Sequence, residues 1–252
     1  VPGAIEAAQR AKGFNKGLFE WLRKAPWGNP AFAGMFLSLV MFGFLGGISG
    51  VVMGTEQINL IIHNTIYVPG HFHATVVAGT TLAFMAITYL LVPLIFRREV
   101  MFKKVAQWQP YVFGLGIAGI SLFMMGAGTL GVPRRHWDIT FADALSQFQF
   151  SPAAFLMLAL NGLSAIVAAV GGAMYIVVVV CSVFLGRKIG DNEVVQLGPV
   201  SGAASAAAVA RYGNEGTLKI PGTVVLVGVF FVSFVLYYFV NWKYLAEVWP
   251  LK

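Results

Sequence analysis

Val68-Pro69-Gly70-His71-Phe72-His73 runs directly into an apolar segment, residues 74–96, that is long enough to cross a lipid bilayer as a helix. The two histidines of this stretch therefore stand at the mouth of a predicted membrane helix. A third histidine, His63, lies eight residues before His71, and the chain has only one more. Because ionisable side chains are costly within lipid, a cluster of three favours a functional site over a structural role.

The spacing of His71 and His73 disfavours a single metal ion. Successive residues of an α-helix are rotated by about 100°, so side chains two positions apart point about 200° apart. A zinc ion held on one face of a helix needs histidines four positions apart. We therefore expect two separate partners, one on each face of the helix. The alternative is that both histidines are polar side chains hydrogen-bonded to neighbouring helices.

The composition indicates an integral membrane protein. Of the 252 residues 58% are hydrophobic and only 11% are charged, and the mean hydropathy is +0.77. The net charge of +7 does not indicate nucleic-acid binding, because the charges lie in loops between apolar segments and form no basic stripe with interleaved aromatic residues. A single cysteine, Cys181, excludes a disulfide within the chain.

Five apolar segments predict an all-α, polytopic bundle of transmembrane helices that forms one membrane domain over residues 1–252. We name these segments spans A to E. Their predicted bounds are 31–53 for A, 71–96 for B, 110–130 for C, 152–185 for D and 221–240 for E. Residues 1–30 are predicted to be a basic cytoplasmic or interfacial segment, because lysines and arginines accompany aromatic residues there.

Lysine and arginine are distributed unequally over the two sides of this bundle. One side carries the N-terminal segment, the loop between spans B and C and the loop between spans D and E, and it holds 13 of the 17. By the positive-inside rule that side is cytoplasmic. The three clustered histidines then lie on the outer face, together with Arg134 and Arg135 at the end of span C.

Arg134 and Arg135 are exceptions to this distribution, because they lie on the side that holds few lysines and arginines. Snorkelling to lipid phosphates would explain either of them alone. A doublet behind Pro133, on the same face as three histidines, favours the binding of buried carboxylates in the bidentate geometry of the guanidinium group. Asp138 and Asp143 could supply these carboxylates, and so could an acidic cofactor.

Span A carries overlapping G-x-x-x-G spacings, formed by Gly43, Gly46, Gly47, Gly50 and Gly54. Such a face lets either a neighbouring helix or a flat cofactor approach the backbone closely. Histidine is the usual proximal ligand of haem iron, and haem propionates are carboxylates. Two imidazoles directed to different partners, a glycine face and an arginine pair together suggest two haems.

The stretch His63-Asn64-Thr65-Ile66-Tyr67-Val68-Pro69-Gly70-His71-Phe72-His73 resembles the haem-ligating region of subunit I of heme–copper oxygen reductases, most closely the B-type branch of cytochrome c oxidases. Gly131-Val132-Pro133-Arg134-Arg135 resembles the propionate-binding loop of that family, and Pro26-Trp27-Gly28-Asn29-Pro30 resembles the B-type connection before span A. The likeness in motifs extends to about Asp138 and then rests on the order of the spans. It implies that spans A to E are the last five of a larger oxidase subunit I, and that the opening residues end an eighth helix.

The resemblance also implies a role for each residue of the cluster. His71 would be the proximal ligand of a high-spin haem, where oxygen is reduced, and His73 an axial ligand of a low-spin haem. Phe72 would lie between the two macrocycles on the electron path, which makes His71 and Phe72 the implied catalytic residues. His63 and Asn64 would contact the propionates of the high-spin haem and water. Arg134 and Arg135 would bind propionates of the two haems.

Two positions depart from the family pattern. In the A-type branch an aspartate follows the first histidine and helps to hold a magnesium ion, whereas this chain has Asn64. Family members usually carry an aspartate four residues before that histidine, where this chain has Asn59. Either Glu56 takes over the role of that aspartate or the local affinity for protons is weaker.

The resemblance further implies groups that this chain cannot supply. A second histidine on the low-spin iron, three histidines on copper (CuB) and a tyrosine joined to one of them are needed, and only His136 remains. We therefore expect the remainder of subunit I, as another polypeptide or as a preceding part of the same one, to complete the site. The chain opens on Val1 without a signal peptide, which is typical of a fragment or a mature split product.

The implied function is that of part of the catalytic subunit of a respiratory terminal oxidase, which reduces O2 to water and translocates protons across a prokaryotic plasma membrane. Its partners would be the rest of subunit I, a subunit II with a copper centre, the lipid membrane, and cytochrome c or another electron donor such as quinol, but not nucleic acid. A nitric oxide reductase is the nearest alternative, although those enzymes typically have glycine at the position of Phe72. A third is a non-enzymatic membrane subunit or transporter, although the span interiors are almost free of charge and the histidines lie at one edge.

Overall fold

The structure is a computed structural model, and it describes residues 2–135, 150–190, 193, 195 and 220–248. Within these residues five helices are long and apolar enough to cross a membrane, which confirms the predicted all-α polytopic bundle. Their bounds are Pro30–Gly54 for span A, Tyr67–Ile95 for B, Lys103–Thr129 for C, Pro152–Leu185 for D, and Pro221–Val240 for E, the last within a helix Pro221–Val248.

Span B begins at Tyr67, four residues before its predicted start. Pro69 lies in its first turn, where a helix has no backbone hydrogen bond for proline to remove. His71 and His73 therefore lie inside the helix, in its second turn, and not at its mouth. The connection before span B contains a short helix, Glu56–Ile62, that the sequence analysis did not predict.

Span C also begins earlier than predicted, at Lys103 and not at residue 110. The prediction took Pro110 as the first helical residue, but the helix continues through it at the cost of one backbone hydrogen bond. Neighbouring helices support this part of span C through the buried side chain of Gln109. Its Oε1 accepts a hydrogen bond from the hydroxyl of Tyr89 on span B (3.1 Å), and its Nε2 donates to the carbonyl of Gly171 on span D (3.3 Å).

The N-terminal segment contains two helices, Pro2–Ala11 and Glu20–Arg23, before span A. Asn29 then caps span A, because its Oδ1 accepts hydrogen bonds from the backbone N–H groups of Ala31 (3.0 Å) and Phe32 (3.2 Å). A proline at the first helical position fits the same start, since the N–H group at that position has no partner within a helix.

Small residues allow the spans to pack closely. Gly116 of span C faces Ala168 of span D, and Gly128 of span C faces Tyr67 of span B; a Cβ at either glycine would clash with the backbone of its partner. Span C is the most enclosed helix, with 44% of its apolar window buried, and span E the least, with 6%. The bundle is thus centred on span C, and span E lies at its edge.

Two π-helical segments lie against each other, Met41–Gly47 in span A and His73–Thr81 in span B. The approach is close, because a Cβ at Gly46 would lie 2.5 Å from Cγ2 of Thr75. Segments of π-helix frequently occur at functional sites. The second segment begins at one of the two clustered histidines.

Loops connect the spans at both ends of the bundle. At one end Thr65 and Pro133 form an isolated antiparallel bridge, which holds the loop before span B against the loop after span C. At the other end Arg187, just after span D, forms an ion pair with Glu99, just after span B (2.6 Å). The hydrogen bond from Arg187 holds the pKa of Glu99 below its usual range.

The N-terminal helix is joined to span E by Glu6, which is fully buried. Its carboxylate accepts hydrogen bonds from the backbone N–H groups of Gly222 (2.9 Å) and Thr223 (2.6 Å) and forms an ion pair with Arg10 (2.7 Å). A carboxylate at this position satisfies N–H groups that have no partner within the helix itself. Residues at the two ends of the described chain are thereby held together.

Candidate cofactor site

An open groove of about 610 Å³ lies beside the second turn of span B, between this span, span C and the loop after span C. Its lining combines apolar side chains with one imidazole and two guanidinium groups. The lining residues are Ile66, Val68, Pro69, Phe72, His73, Val76, Val77, Met124, Arg134 and Arg135. Such a lining fits a largely apolar molecule with acidic substituents.

His73 lines this groove and is held through one of its ring nitrogens. Its Nδ1 lies 2.8 Å from the carbonyl oxygen of Pro69, one helical turn earlier. A carbonyl can only accept a hydrogen bond, so Nδ1 carries the proton and Nε2 keeps its lone pair. Metal-binding histidines are commonly oriented by a hydrogen bond at the other nitrogen. His73 can therefore act as a ligand through Nε2.

His71 lies against span A and does not line the groove. Its Nδ1 is 2.9 Å from Oγ of Ser49. Its ring lies beside Gly50, where a Cβ would come within 2.9 Å of Cε1. The two imidazoles, separated by one residue, thus have different neighbours.

Phe72 is near both histidines. Its ring centroid is 5.4 Å from that of His71, and its side chain lines the groove together with His73. The residue is 52% exposed in this chain, although it belongs to an apolar span. An exposed aromatic ring at this position leaves its face free to contact a planar group.

Backbone pairing places the arginines beside the groove. The N–H of Ile66 bonds to the carbonyl of Val132 (2.9 Å), and the N–H of Arg134 bonds to the carbonyl of Asn64 (2.8 Å). Arg134 also donates from Nη2 to Oδ1 of Asn64 (2.7 Å). Asn64 and Arg135 both have positive φ, 61° and 64°, a conformation that asparagine tolerates better than most residues. These turns bring the two loops together.

Other predicted site residues lie elsewhere. His63 is exposed at the end of the helix Glu56–Ile62 and lines no part of the groove. Asn64, predicted to contact a propionate, directs its side-chain oxygen to Arg134. The remaining candidates on this face, His136, Asp138 and Asp143, lie outside the described residues.

The residues beside the groove fit a haem. Its iron could be bound by His73, and its two propionates by Arg134 and Arg135, while the apolar side chains would contact the macrocycle. By contrast, across the described part of the chain no group of three or more His, Cys, Asp or Glu side chains could hold a metal ion.

Ser49, which contacts His71 from span A, was not among the predicted site residues. This serine lies among the glycines of span A, and the spacing of those glycines predicted only a close approach to the backbone. The structure shows that this face packs against span B, because Gly46 contacts Thr75 and Gly50 contacts His71. A hydroxyl within a glycine face, opposite a histidine-bearing helix, is the signal that could have identified it.

Comparison with known proteins shows which family the chain resembles. Residues 1–163, more than half of the chain, match the family described as Cytochrome C and Quinol oxidase polypeptide I. The chain is 35% identical over 147 residues to cytochrome c oxidase subunit 1 of Thermus thermophilus, which covers 57% of this chain and 26% of that protein. It is 26% identical over 182 residues to the probable quinol oxidase subunit 1 of Staphylococcus aureus, which covers 69% of this chain and 26% of that protein.

The fold is similar to that of a solved oxidase. The cryo-EM structure of a heme–copper terminal oxidase dimer matches with a TM-score of 0.64 and 27% identity, over 90% of this chain and 38% of that one. The chain spans about a quarter of the length of the curated relatives named above. On these matches, the chain belongs to the subunit I family of cytochrome c and quinol oxidases, the heme–copper oxidases.

Proposed function

We propose that this chain is the C-terminal part of the catalytic subunit of a B-type respiratory terminal oxidase, which reduces O2 to water with electrons from cytochrome c and translocates protons. The observation that carries the proposal is the groove beside His73, which combines an imidazole held through Nδ1, two guanidinium groups and apolar walls. A low-spin haem needs an axial ligand, partners for its propionates and an apolar environment for its macrocycle.

Each residue of the site has a separate task in this proposal. His73 binds the low-spin haem through Nε2, and Arg134 and Arg135 pair with propionates. His71 is the proximal ligand of the high-spin haem, on the side of span A. Phe72 occupies the space between the two, since it contacts the ring of His71 and lines the groove of His73. When bound, the haems supply electron transfer and, together with copper, the reduction of O2.

The rest of the catalytic centre comes from outside this chain. The chain has four histidines, two of which are proposed haem ligands, so the copper ligands and the second axial histidine belong to the remainder of subunit I. Activity therefore requires that remainder, and a subunit II with a copper centre is the proposed route for electrons. Apolar side chains on the spans, such as Phe84 (65% exposed) and Leu115 (71% exposed), leave surface for lipid and for these partners.

The electron donor and the orientation are part of the same proposal. Cytochrome c is preferred over quinol because the relative named as a cytochrome c oxidase is 35% identical and the one named as a probable quinol oxidase 26%. The loops rich in lysine and arginine are assigned to the cytoplasm, which places the groove on the outer side of a prokaryotic plasma membrane. The B-type assignment rests on the resemblance of residues 26–30 and 63–73.

An optical spectrum of the complete oxidase, purified from membranes with this chain in place, tests the proposal. The reduced-minus-oxidised spectrum is expected to contain bands of one low-spin and one high-spin haem, and carbon monoxide should perturb only the latter. The absence of both sets of bands would overturn the proposal. Oxygen consumption with reduced cytochrome c or with quinol then identifies the donor, whereas consumption of nitric oxide without oxygen would favour the reductase alternative.

A further inference from the structure

Ser49 is placed to control the orientation of His71. Its hydroxyl oxygen lies 2.9 Å from Nδ1 of His71 across the interface of spans A and B. The serine is only 4% exposed, so water does not compete freely for this contact. The backbone of Gly46 on the same face of span A also hydrogen-bonds to His71, so Ser49 supplies the side-chain part of this contact.

The neighbours of Ser49 decide which atom donates the proton. Its Oγ also lies within hydrogen-bond distance of the backbone carbonyls of Leu45 and Gly46, the second at 3.1 Å. A hydroxyl has one hydrogen and a carbonyl can only accept, so donation to a carbonyl is favoured because otherwise two acceptor oxygens would face Oγ with no hydrogen between them. The lone pairs of Oγ then face His71, whose Nδ1 must be the donor. His71 is thereby held as the Nδ1–H tautomer, with its lone pair on Nε2.

The backbone of span A makes this contact possible. Ser49 follows the π-helical segment Met41–Gly47, which supplies both carbonyls. Gly50 comes next, and a Cβ there would lie 2.9 Å from Cε1 of His71. The imidazole therefore fits between a hydroxyl that fixes its proton and a bare stretch of backbone that leaves room for the ring.

We propose that Ser49 is a positioning residue for His71, an inference that rests on the proposed role of His71 as the ligand of the high-spin haem. The hydroxyl fixes the tautomer and the direction of the ring, so that Nε2 is free for iron. His73 is held in the same way by the carbonyl of Pro69, which is a stronger acceptor than a hydroxyl.

The test uses the complete oxidase with Ser49→Ala, Ser49→Thr or Ser38→Ala. Ser38 is a buried serine of the same span whose hydroxyl bonds to its own helix, at the carbonyl of Met35 (2.8 Å), and it serves as the matched control. The readout is the iron–histidine stretching band of the reduced high-spin haem by resonance Raman spectroscopy, with haem content measured in parallel. We expect Ser49→Ala to shift and broaden the band, Ser49→Thr to restore it, and Ser38→Ala to leave it unchanged.

Two results would overturn different parts of this inference. A Ser49→Ala band that coincides with the band of the unmodified oxidase overturns the role of Ser49 and leaves the proposed function intact. An unmodified oxidase without any such band overturns the proposed function as well. If Ser49→Ala does not retain haem, Ser49→Cys is measured in its place, because a thiol has similar volume but accepts hydrogen bonds weakly. An unshifted band in Ser49→Cys would likewise overturn the role of Ser49.

Discussion

Arg134 and Asn64 are joined by two hydrogen bonds, from guanidinium Nη2 to Oδ1 (2.7 Å) and from the backbone N–H of Arg134 to the carbonyl of Asn64 (2.8 Å). Asn64 precedes span B and Arg134 follows span C, so the pair connects the two helices that flank the groove. A neutral amide positions the guanidinium group without neutralising its charge. An aspartate at this place would form an ion pair and compete with a propionate for Arg134.

Removing the side chain of Asn64 tests this connection. Asn64→Gly keeps the left-handed backbone without steric cost and deletes only the acceptor of Arg134. We expect a loss of about 1 kcal/mol in stability, seen as a lower thermal midpoint when the Soret band of the complete oxidase is followed on heating. Asn15→Gly is the control, because it makes the same change at an exposed asparagine away from the groove and should keep the midpoint. Equal midpoints for Asn64→Gly and the unmodified oxidase would contradict the structural role.

Single substitutions distinguish the roles of the two proposed haem ligands. His73→Ala is expected to abolish the low-spin haem bands, and His71→Ala those of the high-spin haem, because the two imidazoles have different neighbours. Optical spectra of the purified variants measure both. Thr80→Ala is the control, since this exposed residue of span B does not line the groove, and both sets of bands should persist. Identical spectra for His71→Ala and His73→Ala would refute the assignment.

The contact of Glu6 with span E should depend on pH. Burial raises the pKa of Glu6, but the hydrogen bonds from Thr223, Arg10 and Gly222 outweigh it and hold the pKa below the ordinary value of 4.5. A carboxyl with a lowered pKa stabilises the folded state above its ordinary pKa, and this contribution is lost as pH falls through the lowered value. Glu6→Gln should therefore weaken the attachment of the N-terminal helix at pH 7, and this effect should disappear once the pH has fallen through the lowered pKa of Glu6.

Hydrogen exchange of the Gly222 and Thr223 amides measures this attachment. At pH 7 we expect exchange in Glu6→Gln to be roughly fivefold faster than in the unmodified chain, because a hydrogen bond to a charged group contributes about 1 kcal/mol more than one to a neutral amide. The ratio of the two rates, taken at each pH, should approach one as the pH falls through the lowered pKa of Glu6. A ratio that stays constant with pH would show that the charge of Glu6 is not responsible.

The close packing of spans B and C predicts a strong effect at Gly128. A Cβ there would overlap the backbone of Tyr67, so Gly128→Ala must push the two spans apart and should cost about 1–3 kcal/mol. Gly162→Ala is the control, because a Cβ at this position in span D meets nothing within 4 Å. Thermal midpoints of the two variants in the same detergent provide the comparison. A similar thermal midpoint for both variants would show that spans B and C can move apart without a loss of stability.

Asn59 offers a test of proton transfer. Its Nδ2 donates a hydrogen bond to the carbonyl of Met53 (2.8 Å), which an ionised aspartate cannot do. We expect Asn59→Asp to keep haem content and to change the number of protons translocated per electron, measured in reconstituted vesicles. Asn59→Ala removes the same bond without adding a carboxyl group and serves as the control. An unchanged proton-to-electron ratio in Asn59→Asp would exclude a role for this position.

Local chemistry explains which helix starts could be read from the sequence. Span D begins where Ser151 accepts a hydrogen bond from the N–H of Ala154 (3.3 Å), and a serine followed by proline is a strong helix start. The same rule failed at Pro110, because packing supplies the neighbours that let span C continue through the proline. The predicted start of span B was also too late, because the first turn of the helix accepts Pro69 without loss.

The sequence by itself determined that the chain crosses a membrane five times and that its histidines cluster near one edge, because apolar length and residue spacing are local properties of the chain. Only the tertiary structure decided which residues surround each histidine. It placed Ser49 and Gly50 of span A against His71, and it placed His73 with Arg134 and Arg135 around one groove. These contacts join residues distant in sequence, and they depend on how closely small residues let the helices approach.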